Sequence, residues 1–214
     1  MQLTLSRLVC LAALLPFVAD AASPARSEHQ AALRAVPDSE RGAVLFSQCT
    51  SCHGADGQGL PDGSAPSIAG QHYRVLVKQL VDFRYGKRWD FRMEQRANTH
   101  LGAFQDIADV AGYLSRLPRS GKSRAIEGAD LAQGATLYEA NCASCHRSRG
   151  EGDDAEAVPM LAGQHPAYLL RQMYDAVDGR RPTLAQLHSK RIKPLDFEQL
   201  RAIANYLSAI GSAN

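Results

Sequence analysis

Cys49-Thr50-Ser51-Cys52-His53 and Cys142-Ala143-Ser144-Cys145-His146 are two copies of one pattern, C-x-x-C-H, set 93 residues apart. That spacing is the signature of covalent c-type haem attachment. Two thiols add across the two vinyl groups of the porphyrin, and two intervening residues let one turn of backbone bridge them. The next residue, His53 or His146, then lies under the iron as its proximal ligand. A zinc site built from the same thiols and imidazoles is the competing reading. A thioredoxin-type dithiol would need a βαβ context that the chain lacks. Two copies in similar flanking sequence favour haem, so the expected cofactors are two covalently bound haem c groups, on Cys49/Cys52 and Cys142/Cys145.

The rest of the composition is that of a globular protein. The chain has 214 residues, 45% hydrophobic and 21% charged, with a formal charge of +2. This balance argues against nucleic acid as a partner. No internal apolar run reaches the roughly 18 residues of a spanning helix. Residues 1–21 read as a secretory signal peptide, with Arg7, an apolar stretch from Leu8 to Val18, and the small-x-small triplet Ala19-Asp20-Ala21. Cys10 lies inside that stretch and leaves with it. The mature chain is therefore expected in an oxidising compartment. The two motifs account for every remaining cysteine.

The repeat extends beyond the motifs. Pro66-Ser67-Ile68-Ala69-Gly70-Gln71-His72 matches Pro159-Met160-Leu161-Ala162-Gly163-Gln164-His165 at the same offset. Gly86 and Arg88 match Gly179 and Arg181, and Tyr113-Leu114-Ser115 matches Tyr206-Leu207-Ser208. Self-similarity at a fixed offset implies two copies of one structural unit. Each copy is small for a stable core, and a covalently held haem supplies apolar contact that the chain lacks.

Apolar periodicity makes the chain all-α. In the first copy, Asp38 or Ser39 caps a helix running towards Cys49, a second helix covers about Tyr73 to Tyr85, and a third covers about Gln105 to Leu117. In the second copy the helices run from Asp130 towards Cys142, from Pro166 to Val177, and onward from an Asp196 cap. Gly42 and Gly134 sit early in the first helices, where glycine costs about 1 kcal/mol relative to Ala. Close crossing by another helix explains them. The expected organisation is signal peptide 1–21, an Ala-rich leader 22–36 of undefined structure, a first domain 37–118, a linker 119–129 and a second domain 130–214.

With these motifs in view, the sequence resembles the dihaem cytochromes c4 over about residues 38–214. The resemblance rests on the paired C-x-x-C-H motifs, the P-x-x-A-G-Q segments, the Gly-x-Arg turns and the Ala-x-Tyr-Leu-Ser near each third helix. It implies a tandem repeat of two cytochrome c-type helical domains, each with one covalent haem, related by a pseudo-twofold axis with haem edges facing. It also implies periplasmic transfer of single electrons, often towards a terminal oxidase. The partners implied are redox proteins: a membrane oxidase, a quinol–cytochrome c reductase or a dehydrogenase. Association with a membrane surface, and the oligomeric state, are left open.

The resemblance places a sixth, methionine ligand in the loop between the second and third helices. Met93 occupies that loop and is the only Met between Cys49 and Pro118. The second copy departs from the pattern. The 93-residue offset puts Gln186 opposite Met93, while counting back from Leu195 puts Leu187 there. Neither supplies a thioether. The adjacent His188 supplies an imidazole and is the expected ligand. An open iron, Met160, Met173 and Lys190 remain alternatives. His72 and His165 read as structural, and Pro66 and Pro159 as neighbours of the proximal histidines. Arg84, Lys87, Arg88, Arg92 and Arg96 surround the Met93 segment and read either as a solvated face or as contacts to haem propionates or an acidic partner.

An electron carrier, with no catalytic residues, is the leading reading. A dihaem redox enzyme of the peroxidase or thiosulfate-oxidising type, or a fixed cytochrome subunit of a dehydrogenase, are the alternatives. Mass spectrometry of the mature protein should show the chain from near Ala22 plus two haem masses that survive acid–acetone extraction. One haem, or a Cys49–Cys52 disulfide, would contradict this.

Overall fold

The computed structural model describes residues 23–120, 125–128 and 130–211. The signal-peptide segment and part of the linker lie outside these residues. Among the described residues there are eleven α-helices, one 3-10 turn and no strand beyond an isolated bridge between Asp153 and Val158.

The chain builds one helical plan twice. In the first copy, α2 (Ser39–Phe46) crosses α6 (Phe104–Arg116). In the second, α7 (Leu131–Asn141) crosses α11 (Phe197–Ile210) in the same way. Asp38 starts α2 by accepting from the Glu40 and Arg41 amides, both at 3.0 Å. Asp130 does the same for α7 through Ala132 and Gln133. These bonds satisfy amide donors that a helix start leaves orphaned. The two crossings are glycine contacts, as the sequence suggested. A Cβ on Gly42 would overlap the Asp109 carbonyl and lie 2.9 Å from the Tyr113 Cβ. A Cβ on Gly134 would overlap the Ala202 carbonyl and lie 2.9 Å from the Tyr206 Cβ.

After the crossing the copies differ by one residue. Phe46 and Tyr138 hold the same place in the two cores, yet Cys49 follows Phe46 by three residues and Cys142 follows Tyr138 by four. In the first copy Ser47–Cys49 form a 3-10 turn, whereas α7 continues to Asn141. A 3-10 turn rises about 2 Å per residue against about 1.5 Å for an α-helix, so three residues span what four span in the other copy. The C-x-x-C-H motifs then form the short helices α3 (Thr50–His53) and α8 (Ala143–His146).

Two helices complete each copy. They are α4 (Tyr73–Arg84) and α5 (Phe91–His100) in the first, and α9 (Pro166–Val177) and α10 (Pro182–Ile192) in the second. The first core gathers Phe46, Leu76, Val77, Ile107, Val110 and Leu114; the second gathers Tyr138, Leu169, Ile203 and Leu207. Phe46 meets Tyr113, and Tyr138 meets Tyr206, each with ring centres 5.7 Å apart. Both tyrosines are packing residues against the first helix of their copy.

Two features depart from the sequence reading. The segment carrying Met93 is the helix α5 rather than a loop, because the Asp90 carboxylate accepts from the Arg92 and Met93 amides at 3.1 and 3.2 Å. The leader is also structured. Pro24–Arg34 form α1, which lies on α4 and α6 with Ala25 and Ala32 buried. Those alanines are seven residues apart and share one face. Glu28 pairs with Arg84, and the Tyr73 hydroxyl donates to the Ala32 carbonyl at 2.8 Å.

Replacing Gly42 or Gly134 with Ala should destabilise the affected copy by about 2–3 kcal/mol, since backbone must move to admit the methyl group. A fall in thermal midpoint, with haem content unchanged, measures this.

Candidate functional site

Each C-x-x-C-H helix ends on a buried imidazole. His53 is 5% exposed and His146 is 7%. His53 Nδ1 donates to the Pro66 carbonyl at 3.0 Å, and His146 Nδ1 donates to the Pro159 carbonyl at 3.0 Å. Such a bond fixes the ring and leaves Nε2 as the metal-binding nitrogen. Burial lowers both pKa values and the prolyl carbonyls oppose that shift, so the rings are neutral ligands at pH 7. The loop after each motif closes over it: Gly59 N–H returns to the His53 carbonyl at 2.9 Å, and Gly152 N–H to the His146 carbonyl at 3.0 Å. All four thiols are unpaired, with Cys49 and Cys142 half-buried and Cys52 and Cys145 exposed.

The opposite side of the second pocket holds His188. Its ring centre is 6.1 Å from that of His146, with the planes tilted by 44°. Metal–imidazole bonds run about 2 Å, so a metal between two such nitrogens sets ring centres about 6 Å apart. His188 Nδ1 donates to the Leu184 carbonyl at 3.0 Å, which leaves its Nε2 unused. The residues therefore fit a six-coordinate iron. Helical geometry relates His188 to Met93 although simple offset counting does not. Met93 is third in α5 and His188 is seventh in α10. Four residues make about 1.1 turns, so the two lie on nearly the same helix face, one turn apart.

The alternatives to His188 differ in exposure and packing. Leu187 is 75% exposed, and Gln186 and Lys190 are also exposed. Met173 packs with Leu170 and Leu195. Met160 has both backbone groups bound by Gln71. In the first pocket Met93 is half-buried on α5, and Asp90 and Arg92 beside it act electrostatically on the His53 ring. His29 lies on α1, and the His100 ring is 3.0 Å from Arg96.

The repeated Gln-His pair builds the seam between the copies. Gln164 accepts from Ser67 N–H at 3.0 Å and donates to the Ser67 carbonyl at 2.7 Å. Gln71 accepts from Met160 N–H at 2.9 Å and donates to the Met160 carbonyl at 2.9 Å. His72 Nε2 donates to the Glu151 carbonyl at 2.7 Å, and His165 Nε2 to the Gln58 carbonyl at 2.7 Å. These pairs are reciprocal, as a twofold relation between the copies requires. The sequence reading treated these histidines as structural; their placement at the seam needed the tertiary structure.

Three guanidinium groups also lie at the seam, where Arg88 and Arg181 share Gln79 and Gln172 and Arg119 donates to the Ser67 carbonyl at 3.4 Å. Arg88 donates to Gln79, Tyr168 and Gln172, and Arg181 donates to Gln172 and Gln79. Arg119, from the linker, has Nε and Nη1 buried without a partner. Among the described residues none of the three has a carboxylate within ion-pair distance. Burial drops Arg119 and Arg181 to about 10. Arg84, by contrast, is spent on Glu28 and on the Ala97 and Leu101 carbonyls.

Two copies of a small helical unit, each presenting a C-x-x-C-H motif under a carbonyl-tethered histidine, define a two-domain c-type cytochrome. The family model described as "Cytochrome c" matches residues 39–118 and again 131–210. The chain is 30% identical to cytochrome c4 of Pseudomonas aeruginosa over 82% of this chain and 90% of that one. It is 33% identical to the thiosulfate dehydrogenase electron acceptor of Stutzerimonas stutzeri, covering 76% and 79%. The crystal structure of reduced recombinant cytochrome c4 from Pseudomonas stutzeri superposes with a TM-score of 0.70 at 29% identity, covering 81% of this chain and 98% of that one. The chain belongs to the dihaem cytochrome c4 family. It carries two covalent haem c groups and is an electron-transfer protein.

The seam gives a direct test. Changing Gln164 to Leu strands the Ser67 N–H, leaves its carbonyl only the 3.4 Å bond from Arg119, and should cost about 2 kcal/mol. Denaturant unfolding should show that loss, while the Soret bands of both haems stay unchanged.

Proposed function

We propose that this protein is a periplasmic single-electron carrier whose two haems differ in their sixth ligand. His53 and Met93 hold the first iron, and His146 and His188 hold the second. The 6.1 Å separation of the His146 and His188 rings carries this reading. Each haem iron takes up and releases one electron; the protein sets where that electron rests. A thioether favours Fe(II), and a second imidazole favours Fe(III), so the second haem has the lower potential. Each 59 mV or so between them is tenfold in the equilibrium constant. The Pro66 and Pro159 carbonyls raise the basicity of the two proximal rings. Arg88, Arg119 and Arg181 are the groups that would meet haem propionates, the anions their burial calls for. No helix among the described residues is long and apolar enough to cross a membrane.

The electrons pass from a quinol–cytochrome c reductase or a dehydrogenase towards a terminal oxidase. The similarity to a thiosulfate dehydrogenase electron acceptor supports a second reading, in which the chain is the fixed acceptor subunit of a dehydrogenase. Comigration with a dehydrogenase through gel filtration of a native extract separates the two.

The ligand assignment is tested at each iron. Met93→Ala should abolish the weak far-red charge-transfer band of the ferric protein and lower the first potential. His188→Ala should turn the second iron high-spin and open to CO, with the Met93 signal intact. A second haem that stays low-spin in that variant would overturn the assignment.

A further inference from the structure

The two copies differ most in what they expose around residues 85–92. Trp89, the only tryptophan of the chain, is 64% exposed and Phe91 is 68% exposed. Tyr85, four residues before Trp89, is exposed as well. In the second copy the same offset reaches Asp178, Pro182 and Leu184. The aromatic surface is therefore no requirement of the repeated fold.

Its position ties it to the first haem site. Phe91 and Met93 are two residues apart on α5, about 200° round the helix. The face that turns Met93 inward thus turns Phe91 out. Trp89, Asp90, Phe91 and Arg92 line one surface depression, and Asp90 and Arg92 reach the His53 ring electrostatically. The exposed charges from Tyr85 to Leu101 are Lys87, Arg92 and Arg96, all cationic. Asp90, which pairs with Arg92 at 3.7 Å, and Glu94 are the carboxylates of this segment, and both residues are less exposed than the cations. Exposed aromatic anchors ringed by like charges are the anatomy of a protein docking site.

We propose that this surface docks a redox protein with an acidic rim and a projecting apolar centre, so that electrons enter or leave through the first haem. The proposal rests on the electron-carrier reading. A protein is the occupant the depression suits, because a projecting side chain can seat between Trp89, Asp90, Phe91 and Arg92. Cationic Lys87, Arg92 and Arg96 steer the acidic rim, and the aromatic rings exclude water once contact is made.

The test uses the reduced, full-length holoprotein and the double variant Trp89→Ser/Phe91→Ser. The probe is oxidised plastocyanin, an acidic blue-copper protein, with ferricyanide as a small acceptor that needs no docking surface. The variant should lose about tenfold or more in second-order rate with plastocyanin, the loss expected for a removed aromatic anchor. Its rate with ferricyanide and both haem potentials should match the wild type. An unchanged plastocyanin rate overturns the proposal. So does a blue shift of Trp89 emission on phosphatidylglycerol vesicles together with an unchanged plastocyanin rate, which assigns the patch to a membrane. If the wild-type protein gives electrons to neither acceptor, the carrier reading itself fails and the docking proposal falls with it.

Discussion

At Gly42 the first helix of the repeat runs against the carbonyl of Asp109 with no side chain between them, and Gly134 makes the same contact with Ala202. This backbone-to-backbone crossing fixes where the first helix ends. The C-x-x-C-H motif follows within about a turn, so the crossing also fixes where the thiols and the proximal imidazole stand. The first copy reinforces it with a buried carboxylate. Asp109 accepts from Asp38 N–H at 2.8 Å, from Gln105 at 2.7 Å and from Arg41. A buried carboxylate with every partner in place holds helices together; one left unpaired would drive them apart. The second copy has Ala202 at this position and relies on apolar packing by Tyr138, Ile203 and Leu207.

The seam between the copies follows a different logic. Its polar groups bond across to the opposite copy, amide against backbone and imidazole against carbonyl. Hydrogen bonds of this kind contribute modestly when made and cost several times more when broken, because the partner stays buried. They favour one registration of the two domains over any slipped one. The guanidiniums of Arg88, Arg119 and Arg181 add a concentration of buried positive charge that, among the described residues, no carboxylate meets at ion-pair distance, although Asp175 and Asp82 act on Arg181 from further off. That surplus suits a protein whose cofactors bring their own acids.

The repeated scaffold leaves room for difference. The proximal side is the same twice, down to the 3.0 Å bonds to Pro66 and Pro159. The distal side and the outer surface are not. A helix capped by Asp90 offers Met93 near its start, while a helix opened by Pro182 offers His188 one turn later. Trp89 and Phe91 appear on one copy only. Unequal surroundings of two redox centres bias where an electron rests, whereas identical ones would leave it without a preference.

Much of this was legible in residues 38–210. The C-x-x-C-H spacing is set by the porphyrin's vinyl groups, which are the same in any fold, so the haem sites could be read without a structure. Helix periodicity, the Asp38, Asp130 and Asp196 caps and the paired glycines gave the all-α repeat, because they report local geometry. The helical leader was not legible: Ala25 and Ala32 carry too little apolar surface to mark a buried face, and only the docking of α1 on α4 and α6 shows it. His188 was the expected ligand, yet its neighbours Gln186 and Leu187 competed by offset counting, since an indel hides helical phase from an alignment by position. Gln71, His72, Gln164 and His165 repeat visibly in the sequence, but their partners lie 79 to 107 residues away. Contacts at that separation depend on how two finished domains meet, and only the tertiary structure decides that.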